Sequence, residues 1–216
     1  MAKHSTFVIG ITGGIGCGKS TAAACFQKLD IPVLDADRLS HEATAPDGLA
    51  LDEIRATFGD QFFTKEGALD RHLLAQHVFQ DRNALDQLSN IVHRQVVAQL
   101  LEGVALAKKK RQPVICLDVP IPVKEGFLNL ADFVLVIWAS EEERLKRLAK
   151  RGMPEAEARR RMALQMTEEE YRAIGNLCLE NNGSLEDLEQ QIHQFIRQEL
   201  HQRGIRIPLP SNASAQ

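Results

Sequence analysis

Short runs of apolar, often β-branched residues recur along the chain, separated by longer stretches with helical periodicity. These runs predict five short strands, at residues 7–11, 31–37, 113–120, 131–138 and 177–180. Between the first two runs, residues 20–29 are rich in alanine and have the composition of a helix that packs on a sheet. Strand, helix and strand within about thirty residues form a βαβ unit, so we expect a parallel sheet and an α/β fold.

The middle of the chain follows a different pattern, because from Leu39 to about Lys110 the apolar residues are spaced three and four apart. This spacing predicts amphipathic helices at residues 49–58, 73–79, 84–88 and 91–107. The block is too long for a simple crossover between strands. We therefore interpret it as an inserted helical lobe, which would suit a second substrate.

Two further helical regions follow the fourth strand. Ser140 is placed to cap a helix that opens with three glutamates, and the Gly-Met-Pro break at residues 152–154 separates it from the next helix. Ser184 is placed to cap a last amphipathic helix that runs to about Leu200.

Composition excludes several classes of protein. With 216 residues, 44% hydrophobic and 25% charged, the chain is typical of a globular protein, and its net charge of −3 does not indicate a general nucleic-acid-binding surface. The four cysteines form no C-x-x-C pair, and no signal-peptide or membrane-length apolar run is present. We expect a cytoplasmic protein without nucleic-acid or membrane partners. Its oligomeric state is left open, and a monomer is compatible with the sequence.

A phosphate-binding motif joins the first strand to the first helix. Gly13, Gly18, Lys19 and Ser20 match G-x-x-x-x-G-K-[ST], and the flanking strand and helix are the context that a P-loop requires. The alternative is a glycine turn followed by a helix with a surface lysine. The predicted nucleotide-binding residues are Gly14, Ile15, Gly16, Cys17, Gly18, Lys19, Ser20 and Thr21.

The chemistry of polyphosphates explains these residue types. Glycines let backbone N–H groups approach phosphate oxygens, and the helix directs the positive end of its dipole at the same anion. Lys19 would reach the β- and γ-phosphates and act in catalysis, while the Ser20 hydroxyl would bind Mg²⁺. We therefore predict ATP as co-substrate and Mg²⁺ as cofactor.

Carboxylates follow the second and third strands, where ligands of parallel sheets bind. Asp37 is the predicted general base, since a carboxylate near the acceptor hydroxyl assists phosphoryl transfer. Asp35 would cap the next helix or hold water on the metal, and Asp118 would assist the metal as a Walker-B aspartate does. Helix capping alone is the alternative for the pair Asp35 and Asp37.

Arginines are concentrated around the break at residues 152–154. Their planar guanidinium groups can bind phosphate oxygens bidentately, which favours a mobile lid that closes over phosphates. The alternative is an exposed helical hairpin held by Glu–Arg pairs. The arginines are Arg144, Arg147 and Arg151 on one helix face, and Arg159, Arg160 and Arg161 on the next helix.

Among P-loop proteins, a small-molecule kinase fits best. The chain lacks Asn-Lys-x-Asp and a suitably placed Asp-x-x-Gly, which disfavours a GTPase, and motor ATPases need a larger oligomeric apparatus. A nucleotide-gated binding protein is the non-enzymatic alternative. We predict a P-loop NTPase, nucleotide-kinase-like, three-layer fold over residues 1–216, with a core at about 5–38, 111–143 and 174–201, a helical acceptor-binding lobe at about 39–110 and a lid at about 144–173.

Residues 12–21 together with 33–37 resemble the dephospho-CoA kinase family, whose members catalyse the last step of coenzyme A biosynthesis. The similarity continues through residues 66–71, 78–79, 88–93 and 181–183, with Arg147, Arg151 and Gln165 in the lid. It therefore extends over nearly the whole chain to about residue 200.

The resemblance implies transfer of phosphate from ATP to the ribose 3′-hydroxyl of dephospho-CoA, giving coenzyme A and ADP. The alternative is another small-metabolite, nucleotide or nucleoside kinase with the same architecture. The resemblance assigns the base to Asp37, lid phosphate contacts to Arg147 and Arg151, and acceptor binding to Asp35, Arg71 and His93.

Several positions depart from the family pattern and make acceptor preference an open question. Arg94 replaces the usual proline after His93, and Gly175-Asn176 replaces an Ala-Asp pair. Residues 120–125, including Pro122 and Lys124, replace Pro-Leu-Leu-x-Glu. Cys17 stands where a small residue is common; we expect its N–H to serve phosphate normally, and its redox sensitivity is an open question.

Overall fold

A five-stranded sheet in the order β2-β3-β1-β4-β5 is the centre of the fold. The computed structural model describes residues 6–120 and 127–210. β1 pairs in parallel with β3 and β4, and β4 pairs in parallel with β5. The α/β fold with a parallel sheet is therefore confirmed. The strands are β1 Phe7–Thr12, β2 Val33–Asp35, β3 Val114–Asp118, β4 Phe133–Trp138 and β5 Leu177–Glu180.

Helices connect the strands. Those in the described residues are α1 Lys19–Lys28, α2 Ala36–Ala43, α3 Leu51–Phe58, α4 Arg71–Val78, α5 Arg82–Lys109, α6 Glu141–Lys150, α7 Glu155–Ala163, α8 Glu168–Ile174 and α9 Leu185–Phe195. Short 3-10 turns occur at Asp60–Phe62 and His201–Arg203, and a π-helical turn at Ile196–Leu200 continues α9. No helix in residues 6–120 or 127–210 combines the length and apolarity that a membrane crossing requires.

β4 is buried along its whole length, as expected for a strand covered on both faces. On one face, Leu135 and Ile137 belong to a cluster with α1 and α9, in which the rings of Phe26 and Phe195 meet edge to face at 6.2 Å between centroids. On the other face, Val136 and Trp138 pack with Cys17 and Tyr171. The second cluster places α8 and the loop after β1 against the same strand.

The chain divides into two compact units. One contains residues up to Leu34 together with those from Val104 onward, and the other is Asp35–Gly103. The second unit has its own core, which includes Ile54, Phe58 and Leu74. The division into core, lobe and lid stays a prediction.

Two predicted boundaries were wrong. The separate helices at 84–88 and 91–107 are one helix, α5, because only Ser89 and Asn90 lie between them, with no glycine or proline, and the buried residues Ala84 and Ile91 lie on either side of that point. β2 ends at Asp35, so Asp37 lies in the first turn of α2 rather than in the strand. The last helix extends to Leu200 as predicted, with its α-helical part ending at Phe195 and its final turn π-helical.

Candidate active site

Two glycines of the motif are required by the protein's own packing. Gly13 has a backbone φ of +153°, and a Cβ there would overlap the carbonyl oxygen of Ile137 on β4. Gly18 caps α1 in the left-handed conformation, with φ +93° and ψ 23°, and a Cβ there would overlap Nδ2 of Asn181. Close passage of the loop against β4 and Asn181 is therefore a reason for glycine that is independent of any phosphate.

The loop presents several backbone donors. Gly16 and Gly18 both have positive φ, at +80° and +93°, which is typical of a concave anion-binding nest. Within the part of the chain that the structure describes, no group accepts a hydrogen bond from the N–H of Gly16, Gly18, Lys19 or Ser20. The last two belong to the start of α1, where the helix dipole favours an anion.

The backbone N–H of Cys17 was predicted to bind phosphate, and the structure shows a different role for it. Its N–H donates to the carbonyl oxygen of Gly14 at 3.1 Å, so it closes a turn inside the loop rather than adding to the available donors. Its side chain is fully buried, and this burial raises the pKa of the Cys17 thiol, with the charge of Arg144 acting in the opposite direction. The thiol is therefore protonated at neutral pH, which disfavours a redox role.

The structure brings together two of the predicted site residues, Lys19 and Asp118. Their side chains form an ion pair, and Asp118, at the carboxyl end of β3, is almost completely buried. Ser20 follows Lys19 at the start of α1 and is exposed. Thr21 begins the hydrogen bonding of the helix by donating to Gly18.

Two arginines of α6 lie against the loop from outside. Arg144 is only 6% exposed, and its Nε donates to the carbonyl oxygen of Ile15 at 2.8 Å. Its guanidinium carbon lies 4.8 Å from the centre of the Trp138 ring. Arg147 donates from Nη2 to the carbonyl oxygen of Asn181 at 2.7 Å, and Nη1 lies 3.4 Å from that of Cys17.

Asn181 and Gln165 complete these contacts. The Asn181 side chain donates from Nδ2 to the carbonyl oxygen of Cys17 at 2.8 Å, and its N–H donates to Trp138 at 2.7 Å. Oε1 of Gln165 accepts from the N–H of Ile15 at 2.7 Å. From the sequence, Asn181 was included only in the segment 181–183 that resembles the family, with no role of its own. A polar residue directly after the last parallel strand was the signal that would have identified it.

The remaining arginines lie in an exposed position. Arg151 follows the end of α6, and the three arginines of α7 are solvent-exposed. Arg159 pairs with Glu141 and Glu155, while Arg160 and Arg161 pair with Glu157. These pairs match the hairpin alternative for α7, and the phosphate contacts of Arg147 and Arg151 stay predictions.

Asp35 and Asp37 belong to the second unit. Asp35 is the N-cap of α2, and its Oδ1 accepts from the N–H of Asp37 at 2.9 Å and of Arg38 at 3.1 Å. The predicted capping role of Asp35 is therefore confirmed. The Asp37 side chain is exposed, and its role as base stays a prediction.

The other predicted acceptor residues lie on two helices of this unit. Arg71, at the start of α4, has Nη1 3.0 Å from Nδ1 of His41 and donates from Nη2 to the His41 carbonyl oxygen at 3.1 Å. His93 is exposed on α5. The neighbouring Arg94 is also exposed and forms an ion pair with Glu53 on α3.

Local packing accommodates one departure from the family pattern. A Cβ on Gly175 would lie 2.5 Å from Cγ2 of Val136, so the glycine leaves room for this branched side chain. Oδ1 of Asn176 accepts from the N–H of Val134 at 2.7 Å, as an aspartate could. The departures at Pro122 and Lys124 lie outside the described residues.

Comparisons with known proteins identify the family of the chain. The family model for dephospho-CoA kinase (CoaE) matches residues 7–187. The dephospho-CoA kinase of Thermobifida fusca is 36% identical over 199 residues, which cover 90% of this chain and 98% of the relative.

Solved structures give the same result. The structure of TT1252 from Thermus thermophilus matches with a TM-score of 0.74 and 34% identity, covering 90% of this chain and 98% of that one. The dephospho-CoA kinase from Campylobacter jejuni matches with a TM-score of 0.68 and 26% identity, covering 91% and 98%. The chain is a P-loop kinase and belongs to the dephospho-CoA kinase family.

Proposed function

We propose that the protein transfers the γ-phosphoryl group of ATP to the ribose 3′-hydroxyl of dephospho-CoA, giving coenzyme A and ADP. Family membership supports the choice of acceptor. ATP as the phosphate donor is supported by the backbone N–H groups that are available for binding at four loop residues, Gly16, Gly18, Lys19 and Ser20. Such donors at a helix N-terminus bind the oxygens of a polyphosphate.

Lys19 supplies positive charge to this donor site. Its side chain is 14% exposed and pairs with the buried carboxylate of Asp118, which limits the positions that the ammonium group adopts. An ammonium group beside the β- and γ-phosphates neutralises charge that builds up on the oxygens during transfer. We therefore propose a catalytic role for Lys19.

Asp37 is proposed as the general base. Its carboxylate takes the proton of the 3′-hydroxyl as the new O–P bond forms and the bond between the γ-phosphorus and the bridging oxygen breaks, leaving ADP. The family resemblance and the exposed position of Asp37 in the first turn of α2 support this role. The Asp35 cap holds the backbone of that turn.

Residues that fit Mg²⁺ are present beside the loop. Magnesium is usually bound by one or two protein oxygen ligands together with waters and substrate phosphates. The exposed hydroxyl of Ser20 and the carboxylate of Asp118 fit this demand, and the described residues contain no cluster of three ligands that would form an all-protein site. When bound, the ion would neutralise phosphate charge.

The remaining roles concern substrate contacts. We propose that Asp35, Arg71 and His93 bind the acceptor and that Arg147 and Arg151 contact phosphate from the lid. The resemblance to the family supports these assignments. Free thiols at all four cysteines support a reducing, cytoplasmic location.

An acceptor panel tests this proposal. ADP release is measured with Mg-ATP and, separately, dephospho-CoA, adenosine, AMP or shikimate, and we expect turnover only with dephospho-CoA. Turnover with a different acceptor and none with dephospho-CoA would contradict the assignment and favour a different small-metabolite kinase. Lys19→Ala serves as the inactive control, because any ADP release that it retains reflects contamination.

A further inference from the structure

The carbonyl groups of three consecutive loop residues are bound from outside the loop. Arg144 Nε donates to Ile15 O at 2.8 Å, and Asn181 Nδ2 donates to Cys17 O at 2.8 Å. Between them, Nη1 of Arg147 lies 3.5 Å from Gly16 O. Side chains from α6 and from the end of β5 therefore hold one side of the loop.

The geometry of the peptide bond links these contacts to the opposite side of the loop. In a trans peptide the C=O of one residue and the N–H of the next point in opposite directions, and the described residues contain no cis peptide. Holding the carbonyl groups of Ile15 and Cys17 outward therefore directs the N–H groups of Gly16 and Gly18 inward. These are two of the donors for which no described residue is an acceptor.

Arg144 is itself held in one position. Ser140 caps its helix by accepting from the N–H of Glu143, and the guanidinium lies over Trp138. A Cβ on Gly14 would lie 2.8 Å from Nη2 of Arg144 and 3.2 Å from Oε1 of Gln165, so the loop is packed closely against both side chains. Gln165 also accepts from the N–H of Ile15. The backbone N–H and C=O of Ile15 are therefore both held by hydrogen bonds, to Gln165 and Arg144 respectively.

Charge adds to this geometric effect. A positively charged guanidinium that donates to a carbonyl oxygen polarises the whole peptide group. The N–H of that peptide therefore becomes a stronger hydrogen-bond donor. Arg144 is almost completely buried, so solvent screens its charge only weakly. The Ile15–Gly16 peptide is therefore both oriented and polarised towards an anion.

We propose that Arg144 and Asn181 are positioning residues for the polyphosphate of the nucleotide. They act through the loop backbone and do not touch the nucleotide. The Gly16 and Gly18 donors that they orient serve a di- or triphosphate rather than a nucleoside. The proposal rests on the proposed function only in taking a nucleotide as the ligand.

The test uses Arg144→Gln, Arg144→Lys and Asn181→Ala, with Arg203→Gln as the matched control. Arg203 is an exposed arginine that pairs with Glu199 near the C-terminal end of the described chain. Calorimetry measures the Kd of ADP and of AMP, and steady-state kinetics measures KM for ATP and for dephospho-CoA. Circular dichroism and thermal unfolding establish that each variant is folded at the assay temperature.

We expect Arg144→Gln and Asn181→Ala to weaken ADP binding by about tenfold or more, the scale of a lost charged or buried hydrogen bond. AMP binding and KM for dephospho-CoA should change less than about twofold, because neither depends on the β-phosphate donors. The ADP affinity of Arg144→Lys should lie between those of the wild type and Arg144→Gln, since the positive charge remains but the planar guanidinium group is lost.

Normal ADP affinity in folded Arg144→Gln and Asn181→Ala would overturn the proposal, as would an equal loss for AMP and ADP. If Arg144→Gln does not fold, the Kd values of ADP and AMP are measured for Arg144→Lys instead, and an unchanged ADP affinity would overturn the proposal. ADP binding is measured without an acceptor, so this outcome is separate from the acceptor panel. If the wild-type protein does not phosphorylate dephospho-CoA, the proposed function is contradicted, but the ADP-binding test of Arg144 and Asn181 remains valid.

Discussion

Gly18 shows how a single residue shapes the phosphate-binding loop. Its φ of +93° belongs to the left-handed region that side chains rarely adopt, and Asn181 occupies the space where a Cβ would project. Gly152, after α6, has a similar φ of +80° but nothing within 4 Å of its Cβ position. The two glycines therefore separate the cost of backbone strain from the cost of a steric overlap.

We predict that Gly18→Ala lowers the free energy of unfolding more than Gly152→Ala does. Gly152→Ala should cost about 1–2 kcal/mol, the strain of an alanine in the left-handed region. Gly18→Ala adds the displacement of Asn181. Chemical denaturation measures both values, and equal losses would contradict the packing argument.

Asp37 is the proposed general base of the reaction. We predict that Asp37→Asn lowers kcat by a factor of about 10²–10⁴ and leaves the Kd of ATP unchanged, because the amide cannot take the hydroxyl proton. Steady-state kinetics and calorimetry provide the two values. The control is Asp30→Asn, at an exposed position with a φ of +57° that asparagine tolerates. Near-normal turnover by Asp37→Asn would remove its role as base.

The cysteines should be poor nucleophiles in the native protein. Burial raises the pKa of Cys17, Cys25 and Cys116, and raises the pKa of Cys178 to about 11. Because only a small fraction of each thiol is ionised to the reactive thiolate below its pKa, we expect slow modification by a thiol reagent at pH 8, with Cys178, the partly exposed one, reacting first. Denatured protein gives the reference rate. Rapid labelling of Cys17 in the native state would contradict this expectation.

At the scale of elements, the junction between β2 and α2 combines two tasks. Asp35 ends the strand and caps the helix, and the next turn presents Asp37. The capping hydrogen bonds are local, so a different capping side chain should replace them. The proposed acceptor contact of Asp35 needs a carboxylate instead.

We predict that Asp35→Ala lowers the free energy of unfolding by about 1 kcal/mol, whereas Asp35→Ser nearly preserves it. Denaturant unfolding gives both values. Kinetics with the stable Asp35→Ser variant then isolates the acceptor contact, which we expect to appear as a raised KM for dephospho-CoA. An unchanged KM would limit Asp35 to capping.

Secondary-structure elements could be predicted from the sequence where neighbouring residues determine them. The five strands followed from short apolar runs, and the caps at Ser140 and Ser184 followed from the residue type that precedes each helix. The burial of Arg144 was not predictable, because its spacing from Arg147 and Arg151 suggested one shared face. Its burial depends on Trp138 and on the loop around Ile15, and such contacts between distant segments leave no periodic signal.

For the molecule as a whole, the family match extends over residues 7–187, and it includes both the unit with the glycine loop and the second unit, which we propose binds the acceptor. Two departures from the family pattern, Arg94 and Asn176, lie on α5 and directly before β5. Arg94 pairs with Glu53, and Asn176 hydrogen-bonds to β4. Both are therefore accommodated by local contacts.

The proposed activity is phosphorylation of dephospho-CoA at its ribose 3′-hydroxyl. The most direct measurement is identification of the product by mass spectrometry and phosphorus NMR after incubation with Mg-ATP and dephospho-CoA. We predict one added phosphoryl group, present as a 3′-phosphomonoester, with one ADP formed for each product molecule. Unchanged dephospho-CoA, or a phosphate at a different position, would contradict the proposed activity.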